Sequence, residues 1–176
     1  MQHNEPSYQR SFVLRALESV IDFEKILIEF IVVALGLLIC AEVFCRSFLH
    51  FSLMFTDEVA GYMLVAIVFL GMPVALSKGA LFRVELVLNK LPPRIARWVQ
   101  MLFDVLSLGV SLILLWQMAR LVHDSWQRKI EAPTVLATPL YIPQIFMVLG
   151  LLTLVMILVL QLIRSADSIR KGTSHE

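Results

Sequence analysis

Four long apolar segments dominate this sequence of 176 residues. They cover residues 26–49, 59–81, 98–122 and 140–163, and each reaches the roughly 20 residues that a helix needs to cross a bilayer. Hydrophobic residues make up 59% of the chain and charged residues 16%, against about 25% charged in soluble domains. A soluble fold of this size could not bury so much apolar surface. The sequence therefore predicts an all-α membrane protein, with one four-helix domain over residues 26–165.

The distribution of Lys and Arg predicts the orientation of the spans. Eleven of these residues lie in or beside the N-terminal segment (1–25), the connector between the second and third spans, and the C-terminal tail (166–176). The other side carries four, so both termini are expected to be cytoplasmic. Residues 1–25 lack the pattern of a secretory signal peptide, so the first span is expected to be an uncleaved anchor. The connectors are short, so consecutive helices are expected to be antiparallel neighbours.

Two amphipathic segments are expected at the cytoplasmic surface. In residues 8–25, Phe12, Ala16, Val20 and Phe23 share one helical face opposite a charged stripe. The alternative is that this segment simply extends the first span into the cytoplasm. In residues 83–91, apolar residues recur at the period of an interfacial helix. That second segment is interpreted as an interfacial brace, whose charged and terminating residues are Arg83, Glu85, Lys90, Pro92 and Pro93.

Two acidic positions stand out at the ends of the spans. Glu42 and Arg46 are four residues apart with the acid first, the favourable order for an ion pair within a helix. Charges at membrane depth are costly, and this pair is interpreted as structural. Asp57 and Glu58 open the second span on the side opposite the termini. They are interpreted either as acids that cap a helix N-terminus or as a docking point for a partner on the outer side.

Small residues predict where helices approach closely. Gly71, Ala75 and Gly79 form a stripe on the second span at a spacing of four residues, which is typical of close helix packing in membranes. Ser107 and Ser111 form a similar stripe on the third span, one turn after Asp104. These residues predict packing faces, directed either at another helix of this chain or at a separate membrane protein.

No pattern predicts an enzyme. The sequence has no nucleophile–base grouping, no glycine-rich phosphate loop and no cluster of Cys and His at metal-ligand spacing. We therefore expect no catalytic, cofactor or metal site, and the net charge of +1 does not suggest nucleic acid binding. A haem-bearing anchor would need paired axial histidines, whereas only His50 and His123 lie near span ends. A second alternative is a self-sufficient homodimeric exporter, coupled to protons through Glu42.

The order of these features resembles the small membrane subunit of tripartite ATP-independent periplasmic (TRAP) transporters, the DctQ-like family. The resemblance covers residues 26–165, most of the chain. The matching residues are Arg46 at the end of the first span, Asp57-Glu58, Gly71 and Ala75 with Lys78-Gly79, Arg83-Val84-Glu85, Leu91-Pro92-Pro93, and the proline-rich segment 138–143.

The resemblance implies a subunit without a chemical site of its own. Its partners would be a large multi-span membrane subunit, which carries the substrate and sodium sites and moves the solute by an elevator motion, and a periplasmic solute-binding protein. The solute would be of the organic acid type. This chain would lie in the bacterial inner membrane and act as the fixed scaffold.

Overall fold

The computed structural model describes residues 6–51, 54–78, 93–134 and 137–172, with the backbone alone for 6–14, 93–94, 97, 164 and 166–172. It contains four helices: α1 (Pro6–Phe48), α2 (Thr56–Ser77), α3 (Pro93–Gln127) and α4 (Tyr141–Gly172). Each includes a stretch long and apolar enough to cross a membrane. Helices suit this setting because they satisfy their own backbone hydrogen bonds where no water is present. The prediction of an all-α protein with four spans is confirmed.

The helices lie in the spatial order α1, α2, α4, α3. Within the described residues α4 packs against α2 and α3, α1 packs against α2 and touches α4 over a short stretch, and α3 contacts neither α1 nor α2. The expectation that all consecutive helices are neighbours is therefore wrong for α2 and α3. Residues 78–92 separate these two helices along the chain, which is enough chain to let α4 lie between them.

Helices α1 and α3 end, and α2 and α4 begin, at the same end of the molecule. We call it the loop end. Glu42 on α1 contacts Thr56, the first residue of α2. Trp126, near the end of α3, packs edge-on against Tyr141, the first residue of α4, with ring centroids 4.8 Å apart. Helices α2 and α4 therefore run in the same direction, and α1 and α3 run opposite to them on either side.

The central pair, α2 and α4, is held by a glycine. A Cβ atom on Gly150 of α4 would lie 2.2 Å from the carbonyl oxygen of Phe69 and 3.0 Å from the backbone nitrogen of Leu70 on α2. Only glycine allows that approach of two backbones. The small buried core collects around it, with Ala66 and Leu70 of α2 facing Leu151 of α4. Helix α2 continues through Pro73, which is buried beside this contact.

Helix α1 is continuous from Pro6 to Phe48, with no break at Lys25. The N-terminal segment is thus an extension of the helix that carries the first span, as the alternative interpretation held, rather than a separate element. Its expected apolar face is exposed: Val20 is 44% and Phe23 66% exposed. Among residues 15–25, whose side chains the structure describes, α1 buries Leu17 and Glu24, which lie seven residues apart and so on one face of the helix.

The connection between α3 and α4 folds back on itself at the loop end. A β-bridge joins Glu131 to Pro139, and hydrogen bonds run from the Ala132 amide to the Thr138 carbonyl (3.0 Å) and from the Leu140 amide to the Ile130 carbonyl (3.1 Å). We call residues 130–140 the hairpin loop. These bonds give the backbone of a short apolar-flanked connection the partners that it needs away from bulk water.

Several predicted positions fall outside the described residues. They are Gly79, which was to complete the stripe on the second span, and Arg83, Glu85, Lys90 and Pro92 of the interfacial brace. Pro93 begins α3, where its missing amide hydrogen removes no helical hydrogen bond. The brace at residues 83–91 therefore stays a prediction.

Candidate functional site

The polar groups at the helix contacts follow one recurring chemistry. Three helix contacts bring a carboxyl group to a hydroxyl: Glu42 to Thr56, Asp104 to Ser165, and Glu24 to Thr153. A fourth pair, Glu58 and Thr134, joins α2 to the hairpin loop. Interhelical hydrogen bonds of this kind contribute about 0.6 kcal/mol on average in membrane proteins. They fix which faces meet and at what register, and they require no ligand.

Glu42 joins α1 to the start of α2. Its Oε2 atom accepts a hydrogen bond from the Thr56 hydroxyl at 3.1 Å, and its Oε1 atom lies 3.5 Å from an Arg46 nitrogen. Glu42 is largely buried while Arg46 extends outward, which suits an arginine that reaches the bilayer surface. This geometry fits the structural ion pair expected from the sequence and engages both carboxylate oxygens.

The two acids at the start of α2 have different surroundings. Glu58 is bonded to the hairpin loop through the Thr134 hydroxyl, and it accepts a second hydrogen bond from the Tyr62 hydroxyl at 2.7 Å. Asp57 is exposed. Both lie in the first turn of α2, where the helix dipole favours negative charge. Glu58 is therefore occupied within the chain, and of the two acids Asp57 is the one placed for an external contact.

The polar residues of α3 divide into buried and exposed positions. Asp104 is buried and accepts a hydrogen bond from the Ser165 hydroxyl of α4 at 2.7 Å. Ser111, seven residues later, is also buried, and α4 is the helix that α3 packs against in the described structure. Ser107 is exposed. Of the predicted serine stripe, only Ser111 lies in a contact within this chain.

Glu24 is a buried acid that the sequence analysis missed. It is 5% exposed, and a hydrogen bond of 2.7 Å joins its Oε1 atom to the Thr153 hydroxyl of α4. In the sequence it is one of several charges in an amphipathic segment, so nothing distinguished it from its solvated neighbours. A usable signal was its seven-residue spacing from Leu17, the heptad spacing of residues that share a helical face.

The predicted small-residue stripe on α2 faces away from the other helices. No atom outside its own helix backbone lies within 4 Å of a Cβ built on Gly71, and Ala75 is exposed. Leu64 and Val68, 55% and 45% exposed, lie on the same side of the helix. We call Leu64, Val68, Gly71 and Ala75 the open face of α2. The close approach inside this chain is instead made by Gly150.

A shallow cavity of about 310 Å³ opens beside the hairpin loop. It is lined by two aromatic side chains, a proline and one charge of each sign: Trp126, Lys129, Glu131, Pro139 and Tyr141. Aromatic residues that pair a flat apolar ring with a polar atom are typical of the boundary between a bilayer and water. The cavity therefore marks the level at which α3 leaves the apolar layer and α4 enters it.

The histidines of the haem alternative lie on separate helices. His50 follows the end of α1, and His123 on α3 is hydrogen-bonded to Gln127 at 2.9 Å. Helices α1 and α3 do not meet within the described ranges. In that same part of the chain no three His, Cys, Asp or Glu side chains are grouped as metal ligands would be.

A family comparison agrees with the resemblance noted in the sequence. The family model described as "Tripartite ATP-independent periplasmic transporters, DctQ component" matches residues 35–168. That range includes the end of α1, all of α2 and α3, and most of α4. No curated protein and no solved structure matches the chain.

Proposed function

Because this chain belongs to the DctQ family, the small membrane subunits of TRAP transporters, we propose that it is the fixed scaffold against which a large membrane subunit moves its solute. The family indicates a large membrane subunit and a solute-binding protein as partners. In this proposal the binding protein is periplasmic, the transporter lies in the bacterial inner membrane, and it imports an organic acid together with sodium.

The observation that carries the scaffold role is how the helices are fastened. Each of the main helix contacts, α1 with α2, α2 with α4 and α4 with α3, carries a polar bond or a glycine contact that sets its register. The hairpin loop is tied to α2 through Thr134 and Glu58. Such paired contacts resist sliding of one helix past another, so we expect the four helices to act as one rigid unit. A subunit built this way suits a part that stays in place.

Co-purification tests this function. The chain, extracted from its native membrane in mild detergent, should bring a large multi-span membrane protein with it, and uptake should require both chains and a binding protein. A homodimer that transports alone would contradict the proposal and support the proton-coupled exporter.

Uptake by the reconstituted complex tests the solute and the coupling ion. Uptake of a labelled organic acid is expected to depend on a sodium gradient. Uptake without sodium would contradict the sodium coupling.

We propose that the open face of α2 meets the large subunit. It combines small residues, which allow close helix approach, with a lack of contacts inside the chain at Gly71. Ala75→Leu adds three carbon atoms to an exposed position, so the folded chain should keep its stability. In the complex it should clash, at a cost of about 1–3 kcal/mol, which weakens association by roughly 5- to 150-fold.

The matched control is Ala119→Leu, the same change at an exposed position of α3. Detergent-stable complex should be recovered normally with Ala119→Leu and in reduced yield with Ala75→Leu. If Ala119→Leu alone reduced the yield, the interface would lie on α3, and the assignment to α2 would be wrong.

A second contact is proposed at the loop end, where exposed Asp57 would meet the binding protein. Surface charges act mainly on the rate of association, and their effect falls with salt. Asp57→Lys should therefore lower binding-protein-dependent uptake at low ionic strength more than at high ionic strength. The comparison variant is Asp124→Lys, which reverses the charge of a half-buried acid on α3. Unchanged uptake by Asp57→Lys at every salt concentration would remove this contact from the proposal.

A further inference from the structure

The contact between Glu24 and α4 leaves one atom unexplained. Glu24 is buried, and its Oε2 atom is enclosed without a hydrogen-bond partner among the residues that the structure describes. An ionised carboxylate spreads its charge over both oxygens and needs hydrogen-bond donors on both. Burying such a charge without a partner is far costlier than burying a neutral polar group. The enclosed oxygen is therefore difficult to reconcile with an ionised side chain.

The number of hydrogen atoms available at Thr153 also favours a protonated Glu24. The Thr153 Oγ1 atom lies 2.7 Å from Glu24 Oε1 and 3.2 Å from the carbonyl oxygen of Leu149. A hydroxyl has one hydrogen to donate, and the carbonyl one turn back is its usual acceptor in a helix. An ionised Glu24 would have to share that hydrogen. A protonated Glu24 donates its own hydrogen to Thr153, and Thr153 then donates to Leu149, so both contacts are satisfied.

No described positive charge balances an ionised Glu24. The span of α4 from residue 142 to 163 and the part of α2 from 63 to 77 contain no ionisable residue, and Lys78, which caps α2, is exposed. On α1 the ionisable neighbours are exposed, and Lys25 lies 3.9 Å from Glu29 instead. These exposed neighbours are Arg15, Glu18, Asp22, Lys25 and Glu29. Asp104, which is also buried, differs because Ser165 has no second acceptor among the described residues, so the hydrogen count requires no extra proton.

We propose that Glu24 is a proton-binding site, and that its bound proton latches α1 to α4. In the protonated form the Oε1 hydroxyl donates to Thr153, and Oε2 is an uncharged carbonyl oxygen. Release of the proton to water removes the donated hydrogen, leaves a negative charge between two apolar helices, and leaves the single Thr153 hydrogen with two competing acceptors, Glu24 and the Leu149 carbonyl. The contact of α1 with α4 is short, so this segment of α1 separates from α4 when the proton leaves.

Infrared spectroscopy tests for the proton directly. The purified full-length chain in lipid nanodiscs at neutral pH should show the carbonyl stretch of a protonated carboxylic acid, with a shift on exchange into D₂O. The band should be lost in Glu24→Gln and kept in Glu29→Gln, which removes an exposed glutamate from the same helix. A wild-type spectrum without the band, or a band that survives Glu24→Gln, would overturn the proposal.

A second variant covers the case in which Glu24→Gln fails to fold. Thr153→Val keeps Glu24 and removes the acceptor of its proton, so the carboxylic acid band should move to higher frequency. An unmoved band in Thr153→Val would show that the acid does not donate to this hydroxyl and would overturn the proposal.

The pH dependence of stability tests whether the bound proton holds α1 against α4. The folded chain holds a proton that an unfolded, solvated glutamate releases at neutral pH, so the folded state binds more protons. Stability then falls as pH rises. The melting temperature of wild type should fall more steeply from mildly acidic to alkaline pH than that of Glu24→Gln, a neutral mimic. Equal slopes for the two proteins would overturn the latch.

Discussion

Gly150 is the residue on which the central helix pair depends. The carbonyl oxygen of Phe69 occupies the place where a side chain would begin, and backbone atoms cannot turn aside as a flexible side chain can. At a site of this kind the smallest substitution is already an overpacking change. The open face of α2 shows the opposite situation, since Gly71 has room for a side chain.

Gly150→Ala should therefore destabilise the chain by about 1–3 kcal/mol, because α2 and α4 must move apart to admit one methyl group. Gly109→Ala is the matched control, since nothing lies within 4 Å of a Cβ at that exposed position of α3. In an open helical site this change is favourable by up to about 1 kcal/mol. Thermal unfolding in one detergent compares them. A melting temperature for Gly150→Ala at or above wild type would refute the close contact.

The two residues that organise the interior were the hardest to predict. Gly150 is a lone glycine in an apolar run, whereas the stripe of Gly71 and Ala75 carried the stronger pattern. Glu24 resembled its charged neighbours on α1. Spacing shows which residues share a helical face, but it cannot show which face meets a partner, because apolar side chains have no preference between lipid and another helix.

At the scale of elements, the hairpin loop is a closely constrained connection. Its backbone hydrogen bonds close residues 130–140, and Ala137 takes a positive φ of 47°, a conformation that L residues seldom adopt. The bond from Thr134 to Glu58 then ties the loop to α2. The apolar runs predicted the number and place of the spans, although α1 and α4 extend beyond them. This tie was not predicted, since it joins residues far apart in sequence with no shared pattern.

Thr134→Val should loosen the hairpin loop without unfolding the helices. Loss of the hydrogen bond to Glu58 removes the side-chain tie between the loop and α2, so local opening of the loop becomes more frequent. Hydrogen exchange at the Ala132 and Leu140 amides should therefore accelerate. Ser77→Ala, which removes an exposed hydroxyl at the other end of α2, should leave both amides unchanged. Equal exchange in Thr134→Val and wild type would mean that the tie contributes nothing.

At the scale of the whole molecule, orientation follows from charge. The loop end carries few of the Lys and Arg residues, and the opposite end, with both chain termini, carries most of them. The positive-inside rule predicts that the loop end faces the periplasm. No comparable rule predicts the order in which the helices pack. The apolar surfaces of the helices show no preference for one apolar partner over another, and the connector 78–92 is long enough for α2 and α3 to be neighbours or to have α4 between them.

Single cysteines can test this orientation. In a chain whose Cys40 and Cys45 are replaced by serine, Arg128→Cys should react with a membrane-impermeant maleimide added to intact cells that have a permeabilised outer membrane. Lys171→Cys, in the last turn of α4, should react only after the inner membrane is opened. The reverse labelling pattern would show the opposite topology, in which Asp57 is out of reach of any periplasmic protein.

The parallel pairing of α2 with α4 has a consequence for synthesis. Residues 69 and 150 are in contact, but residue 150 is synthesised long after residue 69, because all of α3 is made between them. Helix α1 and helix α2 can associate as soon as both are inserted. Helix α3 has no described helix neighbour until α4 arrives, and the Gly150 contact cannot form before then. The fold therefore closes only after α4 is made, so a chain truncated before α4 would consist of an α1–α2 hairpin and an unpacked α3.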